Sequence, residues 1–178
     1  SGWSGISGYS GTSGYSGFSG KDGNFGGAAF DYYYSTNTTS SNPGTGYLKF
    51  DNTALNNVTK LYISNTDHNL VVTENFLQTI DDSTSAIKGH FSIMDEINEA
   101  TYSMFAIIGY HTEYSGYFEV PVSYVSGNTS FNNGLDVIIT FARTGDKGDT
   151  GTSGYSGISG YSGISGYSGL SGYSGSGI

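Results

Sequence analysis

The chain has 178 residues, of which 29 are glycine, two are proline and none is cysteine. Without cysteine neither a disulfide framework nor a thiolate metal site can form, and thiol redox chemistry is excluded with them. Fifteen acidic residues against six basic ones leave a net charge of −9, which repels a phosphate backbone and an anionic membrane surface alike, so nucleic acid is not an expected partner. No apolar run approaches the roughly 20 residues that span a bilayer, and the start lacks the basic-then-apolar order of a signal peptide, so membrane insertion is not expected.

Residues 1–26 form a repeat. Gly2, Gly5, Gly8, Gly11, Gly14, Gly17, Gly20, Gly23 and Gly26 fall at every third position. The chain opens at Ser1 already inside this repeat and is expected to be a segment of something longer. A strict glycine period of three has a well-understood cause: three polyproline-II chains wound together leave no room at their common axis for a side chain larger than hydrogen. The period therefore implies three chains, and these glycines are the expected axis residues of a collagen-like rod. The residue after each glycine alternates between an aromatic and a more aliphatic set, Trp3, Tyr9 and Tyr15 against Ile6, Thr12 and Phe18. Collagen relies on proline to hold its chains extended, and these arms have none. Rows of such side chains packing across neighbouring chains are expected to supply the missing stability. Two other readings stand beside this one. Six-residue periods also build β-solenoids, although two glycines in every six weaken strands. A flexible Gly/Ser linker is the third reading, and regularly spaced large aromatics are not what a solvated linker carries.

Residues 27–144 are of a different kind, holding both prolines, all three histidines and most of the charge. Period-two alternation, the mark of half-buried strands, runs through Phe30–Tyr34, Tyr47–Phe50, Lys60–Ser64, Ile87–Met94, Tyr102–Tyr110, Tyr117–Val125 and Leu135–Phe141. Only Glu74–Ile80 reads as helical, and it is short. Pro43-Gly44 and Asn133-Gly134 are turn signals, and Tyr114-Ser115-Gly116 separates two strands as a tight hairpin does. Pro121 has no N–H to give to a ladder, so its strand is expected at an edge or at a bulge. About seven short strands in this span predict an all-β antiparallel domain, sandwich-like or barrel-like, with its own core. The expected core is Phe30, Leu48, Ile63, Phe91, Ile93, Phe105, Ile107, Val122 and Ile138, and three copies are expected to pack around the axis of the rods.

The glycine frame resumes over 145–178, at Gly145, Gly148, Gly151, Gly154, Gly157, Gly160, Gly163, Gly166, Gly169, Gly172 and Gly175, before slipping phase at Gly177. Here Tyr155, Tyr161, Tyr167 and Tyr173 alternate with Ile158, Ile164 and Leu170, so the unit is GYSGIS. At ~3.1 Å per residue, 145–175 would extend on the order of 90 Å. At its start, Lys147 just before Gly148 and Asp149 just after it are placed to pair between staggered chains. Each exposed pair is worth only ~0.2–1 kcal/mol, but three chains repeat it, so this is read as an interchain clasp that nucleates winding. Joining Ile178 to a further Ser1 would continue the frame, so a tandem filament is compatible with the ends. The organisation is rod, globule, rod, with the chain itself, as a homotrimer, the first expected partner.

Four blocks carry a family resemblance: YLKFDNTALNNVTKLYIS over 47–64, TIDDSTSAIKGHFSI over 79–93, SGYFEVPVSYVSG over 115–127 and FNNGLDVIITFARTGDKGDTG over 131–151. Together they resemble a domain of tail-fibre and collagen-repeat proteins of tailed bacteriophages, in which Gly-X-Y repeats follow in the same way. The resemblance implies a trimeric virion fibre or extracellular filament, without enzymatic activity or cofactor, that contacts the host surface. The proline-free arms depart from the family pattern.

Asp149-Thr150-Gly151 spells the aspartic-protease triplet, but it continues the glycine frame, whereas that chemistry needs two carboxylates sharing a proton in a cleft. Asp81-Asp82 follows the short helix and is expected to cap or solvate a turn. His68, His90 and His111 lack ligand spacing and are expected in surface or core roles. No catalytic, metal or cofactor residues are assigned. The leading function is a structural fibre. The alternative is a glycan- or cell-surface-binding module on a rod, which a concave patch of exposed tyrosines would favour.

Overall fold

The computed structural model describes residues 28–148; the repeat on either side, with all axis glycines other than Gly145 and Gly148, lies outside the described residues. The alternating stretches form eight strands: β1 Ala29–Ser35, β2 Tyr47–Phe50, β3 Lys60–Ser64, β4 Gly89–Asp95, β5 Tyr102–Ile107, β6 Thr112–Tyr114, β7 Tyr117–Gly127 and β8 Asp136–Arg143. A 3-10 turn covers Leu55–Asn57, and the one α-helix among the described residues, α1, is the single turn Glu74–Leu77.

The strands run in the order β3-β2-β1-β8-β4-β5-β7, and β3 pairs with β7 as well, so the sheet closes on itself. Of the two expected forms the sandwich is set aside and the barrel is taken: the domain is a seven-stranded barrel with β6 added along β7. The cause is the length of β7, whose 11 residues divide between two neighbours. Its first half meets β3 at Leu61↔Val120 and Ile63↔Phe118, and its second half meets β5 at Ile107↔Val122. Closure leaves no open pair of sheet edges, the usual hazard of an all-β domain. All pairings are antiparallel except β1–β2, aligned Tyr34↔Leu48, and the parallel step is carried by the loop over 36–46.

Pro121 is not at an edge. Its carbonyl accepts from the Ile108 N–H, so its own missing N–H faces the same side, where β5 has ended and β6 has not begun, while Val122 N–H turns the other way to Thr59 O. The proline thus sits where the ladder is already broken. The bulge in β7 lies further on, between the pairs Met104↔Ser126 and Phe105↔Tyr124.

Aromatic rings fill the barrel. Phe105 stacks on Phe50 at 4.8 Å and on Phe91 at 5.0 Å between centroids, and Phe91 leads to Phe141 at 5.7 Å. Seven of the nine expected core residues are buried, and the two others mark where the pattern misleads. Ile138 faces outward, because β8 turns Val137, Ile139 and Phe141 inward, one residue out of the expected phase. Phe30 is half-buried and packs on Phe76 at the barrel's end. The phase of β8 was ambiguous because Val137-Ile138-Ile139 is apolar at every position, so alternation carries no signal there.

The two ends of the barrel are closed differently. Leu55 and Phe131 cover one, with Phe131 edge-on to Tyr34 at 5.6 Å. At the other, α1 places Phe76 between Phe30 and Phe141 and buries Leu77. β1 starts and β8 ends at this second end, as the pair Ala29↔Thr140 shows. The described chain therefore enters and leaves the barrel at this end.

Candidate functional site at the junction with the glycine repeat

The described residues contain the start of the second repeat, and it is held down. Gly145 O accepts hydrogen bonds from both Ser83 Oγ and Ser85 Oγ at 2.9 Å. Thr84 N–H donates to Asp146 Oδ1 at 3.2 Å, and Lys147 N–H donates to Thr84 Oγ1 at 2.8 Å. Arg143 Nη2 lies 3.7 Å from the same Asp146 oxygen. Behind this clamp Lys88, almost fully buried, donates to Ser83 O at 2.9 Å and lies 4.3 Å from the centroid of the Tyr110 ring. Three short hydroxyl side chains thus set the path of the chain as it leaves β8. They are not legible in the sequence: a Ser-Thr-Ser run signals side-chain bonding to backbone, but nothing in it names a partner 60 residues away. Of the expected Lys147–Asp149 pair, Lys147 is exposed and Asp149 lies outside the described residues.

Thr84→Val keeps the shape of the side chain and removes the acceptor for Lys147 N–H. We expect the Lys147 amide to exchange about fivefold faster, the equivalent of about 1 kcal/mol for one hydrogen bond, with the barrel melt unmoved. Unchanged exchange would mean that the clamp does not hold the repeat.

The other residues singled out by type are scattered. Asp81 is buried and its Oδ2 takes both the backbone N–H and Nδ1 of His111, the ring contact being 2.8 Å. It therefore joins the end of α1's loop to the β5–β6 connection, and the exposed Asp82 has no part in this. His68 stacks on Tyr33 at 4.6 Å and lies 3.2 Å from Asp136, and His90 points outward from β4. Among the described residues no three His, Asp or Glu side chains converge as metal ligands, and no helix is long and apolar enough to cross a membrane. A cleft of about 120 Å³ beneath α1 is lined by Phe76, Ile80, His90, Ile107 and Phe141 among others.

Lys49 has an unusual setting. It is 2 % exposed, and its ammonium meets only neutral oxygens: Asn37 Oδ1 at 3.3 Å, Thr39 Oγ1 at 3.5 Å and Ser41 Oγ at 3.0 Å. Burial without a counter-ion holds its pKa below the ordinary 10.5. The folded state then binds fewer protons than the unfolded chain between the lowered value and 10.5, so Lys49 makes stability rise with pH across that window. Tyr32 and Tyr34 act in the opposite sense, their phenols pushed above 10.0 by burial. Their contribution is complete below 10.0 and is lost as pH climbs through the raised folded values. In urea melts taken as pH approaches 10.5 from below, the parent should show a more positive slope of stability with pH than Lys49→Met, since Tyr32, Tyr34 and Lys60 contribute alike to both. An equal slope in the variant would refute a buried ammonium.

No protein-family model, curated protein or solved structure matches this chain. The reading of its function thus rests on the residues themselves.

Proposed function

We propose that the chain is a length of a homotrimeric structural fibre, a phage tail fibre or comparable extracellular filament, in which collagen-like rods alternate with barrel domains and no catalysis takes place. The observation that carries this is the glycine period of three on both sides of the barrel, for which close approach of three chains at one axis is the physical reason. Two features of the barrel support it. The described chain enters and leaves it at one end, beside the pair Ala29↔Thr140, so three barrels tethered through their rods would be brought side by side. The clamp on Gly145 and Lys147 gives each chain a defined start.

The glycan-binding alternative is placed second because the glycine period points to a fibre whether or not the barrel binds a glycan. Its support is the outward pairs Tyr33 with Tyr47, 5.5 Å between centroids, and Tyr114 with Tyr117, from which Tyr102 stands apart. Tyr102, at the start of β5, precedes the pair Ser103↔Gly127, whereas Tyr114 pairs with Tyr117 at the other end of β7. The Tyr114–Tyr117 stack, 4.9 Å between centroids, lies beside the Lys60–Glu119 ion pair.

The test is the mass of the full chain in solution together with the melting of Gly160→Ala. A trimer is expected, with two thermal transitions. The variant should lower the one belonging to the rod and leave the barrel's in place, because three added methyl groups have no space at the axis. A monomer, or a rod transition that Gly160→Ala, Gly163→Ala and Gly166→Ala all leave unmoved, would overturn the three-chain reading.

A further inference from the structure

The outward-facing side of β8, β4 and β5 differs from the rest of the barrel wall. Strand register lines its side chains up in rows: Ile138, Met94 and Tyr102; then Thr140, Ser92 and Met104; then Ala142, His90 and Ala106. None carries a fixed charge. On β4 and β8 charges occur only near the ends, at His90, Asp95, Asp136 and Arg143 if the histidine is counted, and β5 has none. Asp31 borders this face, paired with Ile138 across β1 and β8, and the rest of the wall holds Lys49, Lys60, Glu113 and Glu119.

The polar groups of this face are largely spent on each other, since Ser92 and Thr140 share a hydrogen bond of 2.6 Å between their hydroxyls. Small residues leave a shallow depression of about 330 Å³ between Met104 and Ala142, over the backs of Phe91 and Phe141. Around it stand apolar side chains: Met104 is 37 % exposed, Tyr102 40 % and Val125 48 %. A face that is uncharged, hollowed in the middle and apolar at the rim is suited to a protein surface of the same character.

We infer that this face is where neighbouring copies of the chain pack against one another, the depression of one barrel receiving the apolar rim of the next around a three-fold axis. The inference rests on the fibre reading and adds the surface to it. The occupant follows from where the described chain enters and leaves the barrel. It does both next to this face, at Ala29↔Thr140 and after Arg143, and the sequence on either side carries the glycine period that calls for three chains. Three barrels tethered there are held together at that end. With a net charge of −9 per chain, they approach at least electrostatic cost through the side that bears no carboxylates along its middle. A cyclic trimer needs a head-to-tail contact between two unlike patches, which a depression and a rim on one face provide.

The absence of cysteine from the chain makes single thiols clean probes. Met104→Cys on this face and Tyr47→Cys on β2 replace side chains of equal exposure in the isolated barrel, 37 % and 38 %. Val125→Cys and Tyr114→Cys form a second matched pair, 48 % and 45 %. Alkylation by iodoacetamide is followed on the full chain, with the mass of the assembly measured on the same samples. In a trimer, Met104→Cys and Val125→Cys should react about tenfold more slowly than their partners, as close-packed interface positions do. A trimer in which both pairs react alike overturns this surface and leaves the fibre reading standing. A monomeric chain overturns the fibre reading, and the surface with it.

Discussion

Phe105→Ala should remove about 3–5 kcal/mol from the stability of the barrel, a large part of the 5–15 kcal/mol that a domain has in total. Phe105 is fully buried at the centre of β5, stacked between Phe50 and Phe91 and meeting the edge of Tyr124 at 6.0 Å. Its ring therefore touches side chains from β2, β4 and β7, three strands that do not follow one another around the wall. No one neighbour can move in to fill the space without leaving its own strand, so the cavity stays open and the upper part of the range applies. A thermal midpoint lowered by roughly 10–20 °C is expected. A loss under about 1 kcal/mol would show that the interior is not packed around this ring.

The second large effect is expected at Gly127, where β7 ends. Its φ is +107°, and a Cβ there would lie 2.2 Å from Tyr102 O and 2.8 Å from Ser103 Cα. Both are backbone atoms of the paired strand, held by Asn128 N–H donating to Tyr102 O at 2.7 Å. A flexible side chain could swing aside, but a strand cannot. Gly127→Ala therefore combines an unfavourable backbone angle with a forced separation of β5 from β7, and about 3 kcal/mol or more should be lost in urea unfolding. Gly134→Ala separates the two contributions. Its φ is +78° but nothing lies within 4 Å of the added carbon, so only the conformational cost of about 1–2 kcal/mol should remain. Equal losses at the two glycines would mean that the contact with Tyr102 and Ser103 is not the cause.

Much of the wall was legible in the residues. β2 and β3 have the predicted bounds, Tyr47–Phe50 and Lys60–Ser64, because each alternates cleanly between turn signals. Two outward positions run against the simple rule of apolar inside and charged outside, for opposite reasons. Ile138 is apolar yet faces out, and on the further inference it does so to meet another copy. Lys49 is charged yet buried, because the loop over 36–46 folds across it and supplies Asn37, Thr39 and Ser41. Burial of a side chain on the outer face of a strand depends on what crosses over it, and that is set by a connection rather than by the period of the strand.

The sequence by itself determined the β class of the domain, the bounds of strands such as β2 and β3 and the identity of most inward side chains, since these depend on spacing along one chain. Closure into a barrel needed the tertiary structure, because the pairing of β3 with β7 joins Leu61 to Val120 across nearly 60 residues and no local pattern encodes it. The same holds for Asp81 with His111 and for Ser83 and Ser85 with Gly145. A hydrogen bond has a range of about 3 Å, so a polar side chain's sequence neighbours say little about its partner. Which groups meet was decided only when the wall closed and brought the start of β1, the end of β8 and the loop over 78–88 to one end of the barrel.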